Sequence, residues 1–236
     1  MTANGQEKVQ RQYFDKVKNQ YPSNLVIKPP GHVLAEFRKI HYYLQLHNLS
    51  SVVDFGAGTG RLTIFLLKHR YKVFAVDLSE KSLRVLKNAA NNLGYRQLKT
   101  ATSLPENQCQ AIVGADILHH VDMDVYLPLL NRSLIKNGRV IFSEPGAWNP
   151  SWYIYLSVTH SWRIEKGLLS CNIINLKKKL EHYGFSDIKI EGLGFLPRVF
   201  FQFSDKLCAI NDVMGDWPIF KLFAYRYIIC AQKNDQ

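Results

Sequence analysis

Gly56-Ala57-Gly58-Thr59-Gly60 lies between a short apolar run at residues 52–55 and an amphipathic run that begins at Arg61. Glycines at this spacing allow a tight turn and let a ligand approach the backbone closely. A helix that opens just after them offers free N–H groups and a positive partial charge. Asp77 ends the next apolar run, VFAVD, where a carboxylate can accept both hydroxyl hydrogens of a ribose. Asp54, just before the loop, can take an ammonium group directly or through water. The set describes a pocket for a nucleoside-bearing molecule.

The spacing separates one class of such molecules from another. A dinucleotide loop runs G-x-G-x-x-G/A, and the third small residue lets the helix pack closely. Here Arg61 holds that third position, so the pattern is G-x-G-x-G. A Walker loop is excluded because no GK[ST] follows. S-adenosyl-L-methionine has no pyrophosphate, and its amino acid part needs partners near the loop.

A second group of residues could act on an acceptor. His119 and His120 follow the fourth apolar strand, and a neutral imidazole there can accept a proton. Asp116 lies beside them and is expected to touch the cofactor or its loop. Glu144 ends the fifth strand and can serve as a base or as a hydrogen-bond acceptor. Trp148, Trp152, Tyr153, Tyr155 and Trp162 follow, with His160 and Arg163 among them. They can form an apolar wall with one polar grip. Each has a plainer reading as packing in the core. Phe195-Leu196-Pro197 and residues 200–203 can add to a lid.

The elements that must position these residues are legible from periodicity. Helical patterns cover residues 7–20, 32–47, 61–69, 79–92, 126–134 and 175–183. Ser79 is the expected N-cap of the fourth, and Gly94 and Gly184 are expected stops. Strand patterns cover 51–55, 72–77, 97–100, 111–115, 138–144, 188–193 and 223–232. An inserted helical segment lies between Pro197 and Pro218. The alternation predicts an α/β fold with a doubly wound, mostly parallel, seven-stranded sheet. A late strand pair includes one strand inserted antiparallel. The reading is one domain over 1–236. Residues 1–48 form a helical cap, 49–145 the cofactor-binding core, and 146–236 a substrate-side insert with the final strand pair.

VVDFGAGTGRLTIFL and VFAVDLSEKSL resemble the first two motifs of class I S-adenosylmethionine-dependent methyltransferases. LPENQCQAIVGADILHHVD and LIKNGRVIFSEPG resemble later regions of the quinone-biosynthesis-like small-molecule group. Tyr13-Phe14-Asp15 with Tyr21 resembles an N-terminal element that closes over the cofactor there. The resemblance implies a Rossmann-like methyltransferase fold, with S-adenosyl-L-methionine as donor and S-adenosyl-L-homocysteine as product. It implies cofactor contacts at Tyr13, Tyr21, Asp54, Gly56, Ala57, Gly58, Thr59, Gly60, Asp77, Leu78, Thr102, Ser103, Ala115, Asp116 and Ile117. It places His119, His120 and Glu144 at the reacting end, and Trp148, Trp152, His160 and Arg163 toward the substrate. Two positions depart from the pattern. Thr100 replaces an acid expected near the adenine, and Cys109-Gln110 replaces a common Phe-Asp.

Composition bounds the partners. The chain has 236 residues, 47% hydrophobic and 21% charged, which excludes a disordered polymer. Its four cysteines form no CxxC pair, so no metal site or disulfide framework is expected. The net charge is +11, and residues 61–100 alone carry 9 basic and 2 acidic side chains. That excess falls on outer helices, and the strand ends carry no basic surplus. A small-molecule or lipid-like acceptor is therefore expected. A nucleic-acid or protein acceptor is the alternative, and a non-catalytic binder the third reading. An Asn/Asp-Pro-Pro-aromatic turn for base amino groups is missing after the fourth strand. No membrane-spanning run or signal-peptide core is found, so a cytoplasmic location is expected.

Overall fold

A computed structural model describes residues 23–159 and 165–234. The expected helix at 7–20, Tyr13, Tyr21, His160, Trp162 and Arg163 lie outside them. Two helices come first: α1 (Ser23–Ile27) and α2 (Gly31–Leu46). The alternating part follows: β1 (Ser51–Phe55), α3 (Arg61–Lys68), β2 (Lys72–Val76), α4 (Glu80–Asn92), β3 (Leu98–Ala101), β4 (Cys109–Ala115), α5 (Met123–Ser133) and β5 (Leu134–Pro145). The remainder is α6 (Pro150–Thr159), α7 (Ile173–His182), β6 (Phe185–Leu193), α8 (Asp205–Met214) and β7 (Arg226–Lys233).

The strands form one seven-stranded sheet in the order β3-β2-β1-β4-β5-β7-β6. The first five pair in parallel, and β7 runs antiparallel between β5 and β6. The doubly wound, mostly parallel fold is as expected. Strand residues feed two cores by simple alternation. Val52, Ile141, Ile228 and Cys230 face one core with Phe37, Ile40, Leu66 and Leu86. Val53, Val140, Phe142, Tyr227 and Ile229 face the other with Leu127, Leu130, Leu176 and Leu180. Both faces are covered, which is why these strands read as continuous apolar runs.

Local chemistry sets the helix starts. Ser79 caps α4 by accepting the Ser82 N–H, as its position predicts. α5 begins three residues before the expected start, because Asp122 caps it through the Asp124 N–H. β5 begins four residues early, with Leu134 paired to Cys109 across an irregular register. β7 begins three residues late, because residues 220–223 form a 3₁₀ turn instead of extended chain. Among the described residues no helix is long and apolar enough to cross a membrane.

Candidate active site

The carboxyl ends of β1, β2 and β4 open on a cavity of about 1010 Å³. Parallel sheets place ligands at this edge, where the strand order reverses between β1 and β4. The glycine loop forms one end of it. Gly60 caps α3 with φ at +100°, and a Cβ there would lie 2.2 Å from Leu86 Cδ1. Gly56 has φ at +76°, and its Cβ would strike Ile117 Cδ1 at 2.5 Å. Side chains are thus barred by both backbone conformation and packing. At Gly58, whose φ is +52°, a Cβ would meet nothing within 4 Å. That open space is the cradle a ligand would enter.

Asp77 ties the loop to the second strand. Its Oδ2 accepts the Gly58 N–H and its Oδ1 the Ser79 N–H, both at 2.8 Å. Asp54 lies beneath, 1% exposed, accepting the Thr63 hydroxyl at 2.5 Å. Burial pushes its pKa up to about 7 against that hydrogen bond, and the neighbouring Asp77 charge adds to the rise. Ala57, Thr59, Leu78, Thr102, Ser103, Ala115, Asp116 and Ile117 also line the cavity. The structure therefore brings every cofactor candidate within the described residues to one surface. Thr100 instead pairs with Ala75 inside the sheet. Gln110 is near the opposite end of β4, accepting the Ser50 and Ser51 N–H groups. Its departure from the pattern is remote from the pocket and serves the sheet edge.

The other end differs from expectation in its charge. His119 is buried, with Nδ1 2.6 Å from Glu144 Oε2 and Nε2 3.3 Å from Glu165 Oε2. Burial alone would lower its pKa, but the Glu144 hydrogen bond and charge, with Glu165, raise it to about 10. An imidazolium held between two carboxylates is not the neutral base that its position suggested. Glu144 is fully buried, and it also accepts the backbone N–H groups of Ile117, Leu118 and His119. It braces the turn after β4 and does not reach toward an acceptor. His120 stays neutral: burial, then the His119 charge, press its pKa down to about 3.

An ionic cluster lies beside this turn, with Arg226 and Glu36 buried and Asp116 partly exposed. Arg226 at the start of β7 meets Asp116 Oδ1 at 2.6 Å and Glu36 Oε2 at 3.0 Å. Ser143 donates to Glu36 at 2.9 Å. Burial, then Asp116, lifts the Glu36 pKa toward 7 against the pull of Arg226. Asp116 is held at about 2, because Arg226, His119 and Arg61 outweigh the effect of burial. Asp116 also has φ at +58°, an unusual conformation for a residue other than glycine. The cavity edge thus carries arginine, neutralised by its carboxylate neighbours. The lining holds Arg61, Arg132 and Arg226 against Glu36, Asp54, Asp77, Glu106, Asp116 and Glu165, so its balance is still not basic.

Trp152 forms part of the far wall. Its indole N–H donates to the Tyr225 carbonyl at 2.8 Å, and its ring stacks on Tyr225 with centroids 4.5 Å apart. Tyr155 and Leu156 continue the wall. Trp148 is 37% exposed and does not line the cavity, and Tyr153 turns its hydroxyl to the Ala147 carbonyl. Sequence reasoning missed Glu36, Glu165, Tyr225 and Arg226. A signal existed for two of them. Glu36 falls on the apolar stripe of α2 between Val33 and Phe37, and Arg226 heads an otherwise apolar strand.

Strand order, glycine loop and carboxylate together define the Rossmann-like methyltransferase fold. Residues 53–142 match the family described as a methyltransferase domain. An uncharacterized methyltransferase of Mycobacterium bovis is 37% identical over 91 residues, 38% of this chain. The match spans only 37% of the length of that relative. A solved SAM-dependent methyltransferase from Thermotoga maritima superposes with a TM-score of 0.68 at 16% identity, covering 94% of this chain and 99% of that one. Phosphoethanolamine N-methyltransferase 2 of Haemonchus contortus, solved with S-adenosyl-L-methionine, gives 0.64 at 16% identity, covering 96% of this chain and 60% of that one. Likeness at this identity speaks to the fold.

Proposed function

We propose that this protein is an S-adenosylmethionine-dependent methyltransferase acting on a small-molecule or lipid-like acceptor. One observation carries the reading. A single cavity of about 1010 Å³ runs from the glycine loop and Asp77 to His120, Trp152 and Tyr155. Ligand pockets generally enclose about 300–1,000 Å³, so this one suits a cofactor and an acceptor side by side. In this reading residues 49–145 hold the cofactor, 1–48 cap it, and 146–236 face the acceptor.

The residues present fit the cofactor. Asp77 would take the ribose hydroxyls while two backbone N–H groups fix its carboxylate. The open face of Gly58 and buried Asp54 would receive the amino acid part, an ammonium there favouring ionised Asp54. Leu78, Thr102 and Ser103 would flank the adenine, and Tyr13 and Tyr21 would close over it. When bound, the cofactor supplies an electron-poor methyl group on a sulfonium. The chain's own part is to hold the acceptor in line with that methyl and keep water out. Trp152, Tyr155 and Leu156 supply an apolar wall for this, and His160 and Arg163 would add polar contacts. Neutral His120 would meet the acceptor's polar atom. His119 and Glu144 would act by positioning that residue. The carboxylate-rich lining disfavours nucleic acid, whose phosphates require a basic surplus.

Transfer of a tritiated methyl group to a metabolite extract, with mass identification of the product, tests this directly. The expected result is one labelled small molecule. Labelling of RNA that collapses steeply with salt would overturn the acceptor class, and failure to bind S-adenosyl-L-methionine in calorimetry would overturn the whole reading.

A further inference from the structure

His119, His120 and Glu165 converge at the acceptor end of the cavity, and all three line it. His119 Nε2 is 3.3 Å from Glu165 Oε2, and the two imidazole rings lie 4.0 Å apart. One nitrogen from each histidine and one oxygen of Glu165 lie within 4.8 Å of one another. Behind them Glu144 binds His119 Nδ1 at 2.6 Å. A buried carboxylate on one ring nitrogen orients the ring, the usual support for a metal-bound histidine, and the proton that Nε2 holds toward Glu165 in the ion-free chain would be released to water as an ion binds. The 3₁₀ turn that follows Glu165 is locked against these histidines. A Cβ on Gly167 would sit 1.8 Å from the His119 carbonyl oxygen.

We propose that this cluster is a divalent metal site of the zinc or manganese class, with His119 Nε2, His120 and Glu165 as ligands. Two imidazoles and one carboxylate suit borderline divalent ions, and three protein ligands leave coordination positions open. All three residues line the cavity, so an acceptor would reach the ion from there, and with the ion bound it would meet the ion in place of the His120 nitrogen. An acceptor hydroxyl or enol oxygen would bind there and lose its proton to water more readily, since a bound cation stabilises the anion. That acceptor class rests on the methyl-transfer reading of the cavity, whereas the ion site does not. A rival set, His119, Glu144 and Cys171, lies behind the ring. It is disfavoured because Glu144 already accepts three backbone N–H groups.

Calorimetric titration of the tag-free, chelator-stripped chain with Zn²⁺ tests the site. The expected result is one ion per chain. His120→Ala and Glu165→Gln should each weaken it by at least about tenfold, while Cys171→Ser should bind as wild type. Co²⁺ should give visible absorption in wild type that His120→Ala abolishes, with thermal melts confirming that each variant folds. Absence of stoichiometric Zn²⁺ binding overturns the proposal. So does binding that survives His120→Ala and Glu165→Gln but is lost in Cys171→Ser. S-adenosyl-L-methionine titrated into the stripped chain separates the two ideas: cofactor binding without zinc binding sinks the ion site alone, and zinc binding without cofactor binding sinks the methyltransferase reading alone.

Discussion

At one end of the cavity, Gly56, Gly58, Gly60 and Asp77 come from two consecutive strand-turn-helix units, and the Asp77 to Gly58 bond spans only 19 residues. At the other end, Arg226 meets Asp116 across 110 residues and Ser143 meets Glu36 across 107. The first end is shaped mainly by backbone: positive φ angles, N–H groups and one carboxylate. The second is shaped by side-chain charges drawn from α2, β4, β5 and β7 and from the segment after α6. A backbone site tolerates little change in its own residues but depends weakly on remote ones. A charge cluster is as fragile as its least satisfied member.

The largest effect is expected at Arg226. Arg226→Met leaves Glu36 buried without its cation and removes the nearer cation of the partly exposed Asp116, which should cost about 3 kcal/mol of folding stability in denaturant titration. A loss below about 1 kcal/mol would mean the cluster is dispensable. Asp54 should show itself in the pH dependence of stability of the unliganded chain. Its folded pKa, near 7, is above the value of 3.8 expected when unfolded. Its contribution is therefore complete below pH 4 and is lost as pH rises toward 7, by about 1.4 kcal/mol per pH unit across that interval. Asp54→Asn should flatten this slope, and an unchanged slope would remove Asp54 as its source. Asp77→Ala should weaken S-adenosyl-L-methionine binding at least about tenfold, as loss of a charge-assisted contact worth about 1.5–3 kcal/mol. Unchanged affinity by calorimetry would falsify the ribose contact. The smallest effect is expected at Trp148. Trp148→Ala should alter turnover by less than about twofold, because the ring stands outside the cavity, whereas Trp152→Ala should reduce turnover several-fold more than that.

The glycine-loop end was legible in the sequence because its determinants are local. A strand ending in Asp54-Phe55, three glycines at fixed spacing and Asp77 after the next strand can assemble in essentially one way. The largest helix-start shift among the expected helices, in α5, came from the overlooked Asp122 cap. The histidine end was named in part, and its charges were not foreseen. His119 and Glu144 were both seen as possible bases, but their pairing makes them an imidazolium and its brace. Trp148 and Trp152 are four residues apart and looked equivalent, yet only Trp152 reaches the cavity.

The sequence by itself determined the sheet, its order of strands and helices, and the loop that would receive a nucleoside, since periodicity, glycine φ freedom and one carboxylate specify these within short stretches of chain. Only the tertiary structure decided the charge state of the histidines, the neutralisation of Arg226 and the meeting of Glu165 with His119. Those depend on desolvation and on distances between residues far apart in the chain, and a pKa or a ligand set exists only once the packed chain has fixed both.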